Sequence, residues 1–309
     1  GLTFWALDQQ QEAETQREAA VTARDNEAEQ REVAEAERAE AQKQLKKANA
    51  ISEFVQGLFT SVRPGELEGV DDRDKDLMKL VLGKGLEKIG ELKDQPEVEA
   101  EIRNVLGTTY HSLGFYDQAL THHEKALAIR LKILGTEHPN VATSYSNLGT
   151  AYVYKGEYDK AIGHFEKALA IQLKTLGPEH LDVAKSYNNL GAAYANKGEY
   201  DKAIEFNEKS LAIQKKILGH EHPGVAMSYS GIGIIYKNKG EYDKAIEFHE
   251  KSLAIDLKTF GPEHPNVAAS YGNLGTAYVY KGEYDKAIGH FEKALAIDLK
   301  TLGLEHPNI

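Results

Sequence analysis

Histidine is the residue whose spacing first asks for a chemical explanation. His138, His180, His222, His264 and His306 stand 42 residues apart, each directly after a glutamate. Glu and His are metal-ligand types. One such pair per 42 residues, however, sets successive pairs too far apart to share an ion, so the pattern predicts a turn and helix-cap role. His122, His123 and His164 fall within a predicted helix where other copies carry Phe206, Phe248 and Phe291, which predicts packing. Asp72, Asp74 and Asp76 alternate like the start of a calcium loop. Leu77 stands where that loop needs Gly and Gly83 where it needs Glu, so a solvated, helix-capping loop is expected. The chain has no cysteine, which removes thiolate nucleophiles, disulfides and Cys-based zinc sites and leaves the redox compartment open. No Ser-His-Asp set recurs with supporting context. No Gly-rich nucleotide loop, His-Arg-Asp or Asp-Phe-Gly is present. The expectation is a non-enzyme with no cofactor and no metal.

The 309 residues carry a formal net charge of -11 with 41% hydrophobic residues. Burial is affordable, but an acidic chain lacks the basic surface a phosphate-backbone binder needs, so nucleic acid is not an expected partner. The chain opens on Gly1 and closes on His306-Pro307-Asn308-Ile309, where another unit begins; it reads as part of a longer protein.

The histidines mark a repeat. Residues 138–177 return almost unchanged at 264–303, and related copies lie between. A fixed period of this size means stacked supersecondary units, each burying its apolar face on its neighbours. Within the second unit, Tyr145, Leu148, Gly149 and Tyr152 lie at i, i+3, i+4 and i+7, predicting a helix A from about Asn140 to Lys155. Gly149 recurs at Gly107, Gly191, Gly233 and Gly275. A mid-helix glycine costs about 1 kcal/mol relative to alanine, so its repetition predicts a partner helix too close for a Cβ. Gly156 and its copies at Gly114, Gly198, Gly240 and Gly282 are predicted C-caps. Helix B then runs from Tyr158 to about Leu176, with Ala161, Ile162, Phe165, Ala168, Leu169 and Leu173 on its buried face.

These offsets resemble the tetratricopeptide repeat, with Tyr145, Tyr187, Tyr229 and Tyr271 in the usual Trp slot. The 42-residue period, with Ala-Leu-Ala-Ile and Leu-Gly-Pro-Glu-His-Pro-Asn-Val-Ala, resembles the kinesin-light-chain type. The resemblance implies an all-α fold: a right-handed α-solenoid of helix-turn-helix units preceded by a long N-terminal helix. Five units are expected at 97–137, 138–179, 180–221, 222–263 and 264–305, with 306–309 starting a sixth. The first is degenerate, with Arg103 in the Tyr slot. Residues 50–135 are also similar to the segment that precedes such repeats in bacterial membrane-anchored serine/threonine kinases.

Ahead of the array, residues 1–62 form a predicted helical arm rich in Ala, Glu, Gln and Arg. Arg17, Arg24, Arg31 and Arg38 repeat every seven residues, the beat of a coiled coil. The companion positions Gln9, Gln16, Gln30 and Gln44 make the seam weak, so over 8–50 a solvated single helix and a weak dimer both fit. Residues 1–7 are apolar but too short to span a bilayer. They read either as a frayed helix start or as the end of a membrane helix with Trp5 at the interface. Residues 63–96 read as an acidic loop followed by a packing helix through Leu77, Val81, Leu82, Leu86, Ile89 and Leu92. Localisation follows the same fork: cytoplasmic for a free scaffold, membrane-anchored if 1–7 end a span.

The function implied by the resemblance is a protein-interaction scaffold that binds an extended peptide or partner segment along the groove lined by helix A. The residue before Leu-Gly, which bonds ligand backbone in that family, is Asn147, Asn189 and Asn273 here. Gly231 and Val105 leave gaps in this ladder. An amide side chain both donates and accepts, as a peptide unit requires. Thr150 and Thr276 form the next inward turn, Tyr154, Asn196, Asn238 and Tyr280 lie beyond, and Lys185 adds charge. The alternative is a sensor or docking region of a membrane-anchored kinase whose catalytic domain lies upstream. Partners are expected to be protein or peptide, with membrane contact only through the N-terminal end and weak self-association through the arm.

Overall fold

The computed structural model describes residues 2–60, 89 and 95–302, with side chains of the first helix described chiefly over 21–46. The acidic loop and packing helix expected at 63–96, apart from Ile89 and residues 95–96, lie outside the described residues. So do the calcium-like aspartates, the side chains of 1–7 and the start of a sixth unit at 306–309. Two compact units divide the chain at Val98. Among the described residues there are eleven helices and no strand.

In the first unit, α1 (Leu2–Thr60) is one helix of 59 residues. Its described side chains from 21 to 46 are all exposed, Val21, Val33 and Leu45 included. Strong helix formers and i,i+4 partners sustain it: Arg31 pairs with Glu27 at 3.3 Å and Gln44 donates to Glu40 at 2.7 Å. A coiled coil over 8–50 would bury this surface against a second copy. No helix among the described residues is long and apolar enough to cross a membrane.

The second unit is an α-solenoid of five helix pairs. These are α2 (Pro96–Ser112) with α3 (Tyr116–Leu134), α4 (Pro139–Tyr154) with α5 (Tyr158–Leu176), α6 (Leu181–Lys197) with α7 (Tyr200–Leu218), α8 (Pro223–Lys239) with α9 (Tyr242–Phe260), and α10 (Pro265–Lys281) with α11 (Tyr284–Leu302). From α3 onward each helix packs on the next, and the even-numbered helices touch across the repeat: α4 on α6, α8 on α10. From α4 on, each even helix starts directly after the repeated histidine, which is its N-cap, so α4 begins one residue earlier than its apolar spacing suggests. The His138 imidazole Nδ1 accepts from the Asn140 N–H at 3.1 Å, and His180, His222 and His264 do the same two residues on. Pro139 then sits in the first turn, where its missing N–H costs nothing. Gly156 ends the helix with φ +79°, letting the Glu157 N–H reach the Tyr152 carbonyl at 2.9 Å.

Packing repeats with the period. Val141, Val183, Val225 and Val267 are buried, as are Leu148, Leu190, Ile232 and Leu274. A Cβ placed on Gly149 would lie 2.6 Å from the Phe165 ring, so the close approach expected from the sequence exists. The same slot meets His123 at Gly107, Asn207 at Gly191, His249 at Gly233 and Phe291 at Gly275. This corrects the grouping of histidines with phenylalanines, which merged two adjacent columns. Phe291 belongs with Phe165 and His123 against the glycines. His122, His164, Phe206, Phe248 and His290 form the other column, each stacked on a tyrosine of the paired helix, as His164 is on Tyr152 at 5.3 Å. Packing is the role of both.

Two predictions follow from this packing. Gly149→Ala should lower stability by about 1–3 kcal/mol through overpacking, whereas Gly163→Ala, inside α5 with open space around a new Cβ, should raise it by about 1 kcal/mol. Urea unfolding reads both signs. Burial also pushes His122, His123 and His249 down to about 4. The folded state therefore binds fewer protons than the unfolded chain below about pH 6.5, so stability is full above that value and lost toward pH 4, by up to about 1.4 kcal/mol per unit per ring. His249→Phe, which installs the side chain that Phe165 and Phe291 already supply in this column, should flatten the fall in melting temperature between pH 6.5 and 4; a fall parallel to wild type would contradict this.

Candidate functional site

In an array of near-copies, the buried Val and Ser columns of the even helices repeat and an exposed column beside them does not. Ser144, Ser186, Ser228 and Ser270 are buried and unchanged in type. One residue before each serine, the exposed positions read Thr143, Lys185, Met227 and Ala269. Met227 is 75% exposed, the highest value among the exposed large apolar side chains of the described residues. A single exposed apolar side chain is ordinary on a protein surface; this one draws notice because its column differs in every unit while the adjacent serine column stays constant.

The expected groove residues lie on this face, and the structure shows what each already bonds. Asn147 donates from Nδ2 to the Asn104 Oδ1 of α2 at 2.7 Å, and Asn273 donates to the Ser230 hydroxyl of α8 at 3.0 Å. Both amides thus tie one even helix to the preceding one and are half-buried, as is Asn189. Thr150 and Thr276 donate to their own helix, at the Ser146 and Gly272 carbonyls, and Asn196 donates to the Ala192 carbonyl. Asn238 and Lys185 are exposed. Tyr154 and Tyr280 are 59% and 57% exposed and stand in aromatic groups. Tyr154 meets the His111 ring edge-on at 4.6 Å and stacks on Tyr116 at 5.8 Å, whereas Tyr280 stacks on Tyr242 at 6.1 Å beneath the Lys237 ammonium at 5.2 Å. Sequence reasoning missed Met227, which only its variation along the 143, 185, 227, 269 column betrayed.

The floor between successive even helices holds a second varying column. Arg130 donates to the Ser144 hydroxyl at 2.7 Å and to Glu101 at 2.5 Å. At the equivalent positions Gln172 accepts from Ser186, Gln214 from Ser228 at 2.8 Å, and Asp256 from Ser270 at 2.7 Å. Charge on the floor thus runs from cation through amide to carboxylate while the serine stays constant. Sequence spacing alone did not single out this column, because a residue 14 positions before a serine carries no local signal.

Two sets of charges recur as ion pairs along the array. Lys155, Lys197, Lys239 and Lys281, at the ends of even helices, each bridge an aspartate of the preceding unit and the glutamate that follows, as Lys197 does with Asp159 and Glu199 at 2.7 Å. These pairs raise the lysine pKa and lower that of the glutamates. The Glu of each Glu-His pairs with a lysine near the end of the following odd helix, Glu137 with Lys174 being the first. Exposed pairs of this sort add little stability each but help hold the stacking register. Among the described residues no group of three His, Cys, Asp or Glu side chains converges to hold a metal.

Helix pairs at a 42-residue period, closed by a glycine approach in every unit, define a tetratricopeptide array, and the family model for the tetratricopeptide repeat matches residues 98–174, 154–216, 182–258 and 225–300. The chain belongs to that family. Its subtype is the kinesin-light-chain one. The nearly identical TPR-like repeats assigned to a kinesin light chain of Podosopora anserina are 33% identical, spanning 67% of this chain and 98% of that one with a TM-score of 0.61. BtubC (BKLC) from P. vanneervenii shares the fold at 23% identity over 85% of this chain and 94% of its own, with a TM-score of 0.58. The apo form of RapI does so at 21% identity over 66% and 71%, with a TM-score of 0.56. No curated protein matches the chain. Tetratricopeptide folds are typical of protein-interaction scaffolds.

Arg130→Gln should keep a partner for Ser144, as Gln172 and Gln214 do for their serines, but removes the guanidinium from Glu101. A loss of about 2 kcal/mol is expected, largely restored by adding Glu101→Gln; urea unfolding of the single and double variants measures it.

Proposed function

We propose that the array is a scaffold that binds an extended segment of a protein partner along the exposed face of its even helices. The observation that carries this reading is the pattern of variation: the buried Val and Ser columns of the even helices repeat from unit to unit, whereas Thr143, Lys185, Met227 and Ala269 on the same helices differ and are exposed. Stacking alone gives no reason for that difference. Asn147 and Asn273 each have one amide hydrogen committed to the neighbouring helix, which pins the side chain and leaves its oxygen to accept a partner N–H. Such pinning lowers the entropy lost on binding. Thr150, Thr276, Asn196, Asn238 and Lys185 supply polar flanks, and Tyr154 and Tyr280 supply aromatic surfaces toward the two ends. The partner is a polar, extended chain rather than nucleic acid.

Peptides selected from a random displayed library against the array test the reading. Each lost hydrogen bond is worth about 0.5–1.5 kcal/mol, so Asn147→Ala combined with Asn189→Ala and Asn273→Ala should weaken a selected peptide about tenfold or more. A thermal melt checks that the fold persists. Unchanged affinity in the folded variant would remove the asparagines from the binding role.

A second reading is favoured by α1, a single helix with exposed flanks and an apolar Leu2–Leu7 end. In it the array is the docking region of a membrane-anchored serine/threonine kinase, and α1 is the stalk between membrane and repeats, with weak self-association along the stalk. The coding sequence upstream of Gly1 decides it: a membrane-length apolar run after a kinase domain supports the reading, and any other upstream sequence ends it.

A further inference from the structure

The cleft between α8 and α10, floored by α9, differs from its counterparts in one respect. It holds a buried carboxylate with no cation. Asp256 is 7% exposed. Its Oδ2 accepts from the Ser270 hydroxyl at 2.7 Å, and among the described residues no lysine or arginine pairs with it. The other floor positions that bond a serine of the following unit are neutral or compensated: Gln172 and Gln214 are amides, and Arg130 has Glu101. The cleft measures about 230 Å³ and is lined by Asp256, Ser270, Ser230 and Asn273, with Met227 and Ala269 at its apolar rim. Burial raises the carboxyl pKa, and the Ser270 bond and His264 oppose that rise. The His264 Nδ1 accepts the Asn266 backbone N–H at 3.1 Å.

We infer that this cleft is a binding site for a primary ammonium group, the side chain of a lysine in the bound partner. A buried charge costs free energy unless a counter-charge reaches it, and here a cavity leads to the unpaired one. The chemistry narrows the cation. Ser270 already bonds Oδ2, which crowds the side-by-side approach to both oxygens that a guanidinium prefers and suits a point donor better. One carboxylate among hydroxyls and amides is too few ligands for a divalent ion. The methylene stem of a lysine matches a rim of Met227 and Ala269 with a polar floor beneath. This inference rests on the groove reading above and deepens it.

The test uses the whole chain and defined probes, followed by NMR shifts of Ser270 and Asn273. The probes are n-butylammonium, n-butanol as its neutral isostere, an end-blocked alanine-rich peptide with one central lysine, its norleucine version, and an alanine peptide with a free amino terminus. Saturable shifts are expected with n-butylammonium and the lysine peptide, about tenfold or more tighter than with n-butanol and the norleucine peptide. Asp256→Gln should abolish that difference. Glutamine already occupies this position at 172 and 214 and accepts from the equivalent serine, so the variant keeps the fold. Equal binding of charged and neutral probes, no saturable shift with any probe, or retention in Asp256→Gln overturns the site. Preference for the free amino terminus over lysine overturns the assignment to a side chain. If these arms fail while selected peptides still bind through the asparagines, the groove stands and the ammonium site falls; if the selected peptides fail as well, both fall.

Discussion

Everything in the array depends on one contact, the approach of each odd helix to the glycine of its partner. At Gly149 the Phe165 ring occupies the space a Cβ would need, and four other units repeat the arrangement with Phe, His or Asn in the slot. That approach sets the distance within a pair. The tyrosine next to it, stacked on His or Phe, sets the rotation, and the buried Val, Ala and Ser columns then meet the following unit in the same way each time. Because each unit contacts only its neighbours, small local terms add along the chain, and any column that changes type without changing the packing is free to serve recognition.

The polar positions divide along the same line. Histidine serves three structural purposes among the described residues. In the Glu-His pairs it caps a helix through Nδ1. On odd helices it fills either the glycine slot or the tyrosine stack as a neutral ring, and desolvation holds it neutral. Asparagine at 147 and 273 links neighbouring even helices and faces the exposed side at once. The floor column changes charge from Arg130 to Asp256 while its serine partner stays. The scaffold thus tolerates different chemistry at the base of each cleft, so a row of near-identical units can present clefts that are not alike.

The repeat, the helix boundaries and the glycine approach were legible in the sequence because each is local or periodic: capping, chain reversal and i, i+4 spacing involve residues a few positions apart. The exposed face was legible in part, through Asn147, Asn189, Asn273, Thr150 and Tyr154, because the offset from Leu-Gly places those residues on one side of a helix. The two histidine columns were harder to separate. They are adjacent in sequence and both suit an aromatic ring, and only the 100° turn between neighbouring helical residues sends one to the glycine and the other to the tyrosine.

By itself the sequence determined an all-α array of 42-residue helix pairs, the caps and the buried columns, because burial of a periodic apolar face leaves few other outcomes for this chain. Only the tertiary structure decided which polar groups are already used and which are free. That Asn147 reaches Asn104 across 43 residues, that Ser270 reaches back to Asp256, and that Met227 stands beside a cleft are consequences of stacking between units. Side chains far apart in the chain meet there for reasons of packing geometry, which local spacing does not encode.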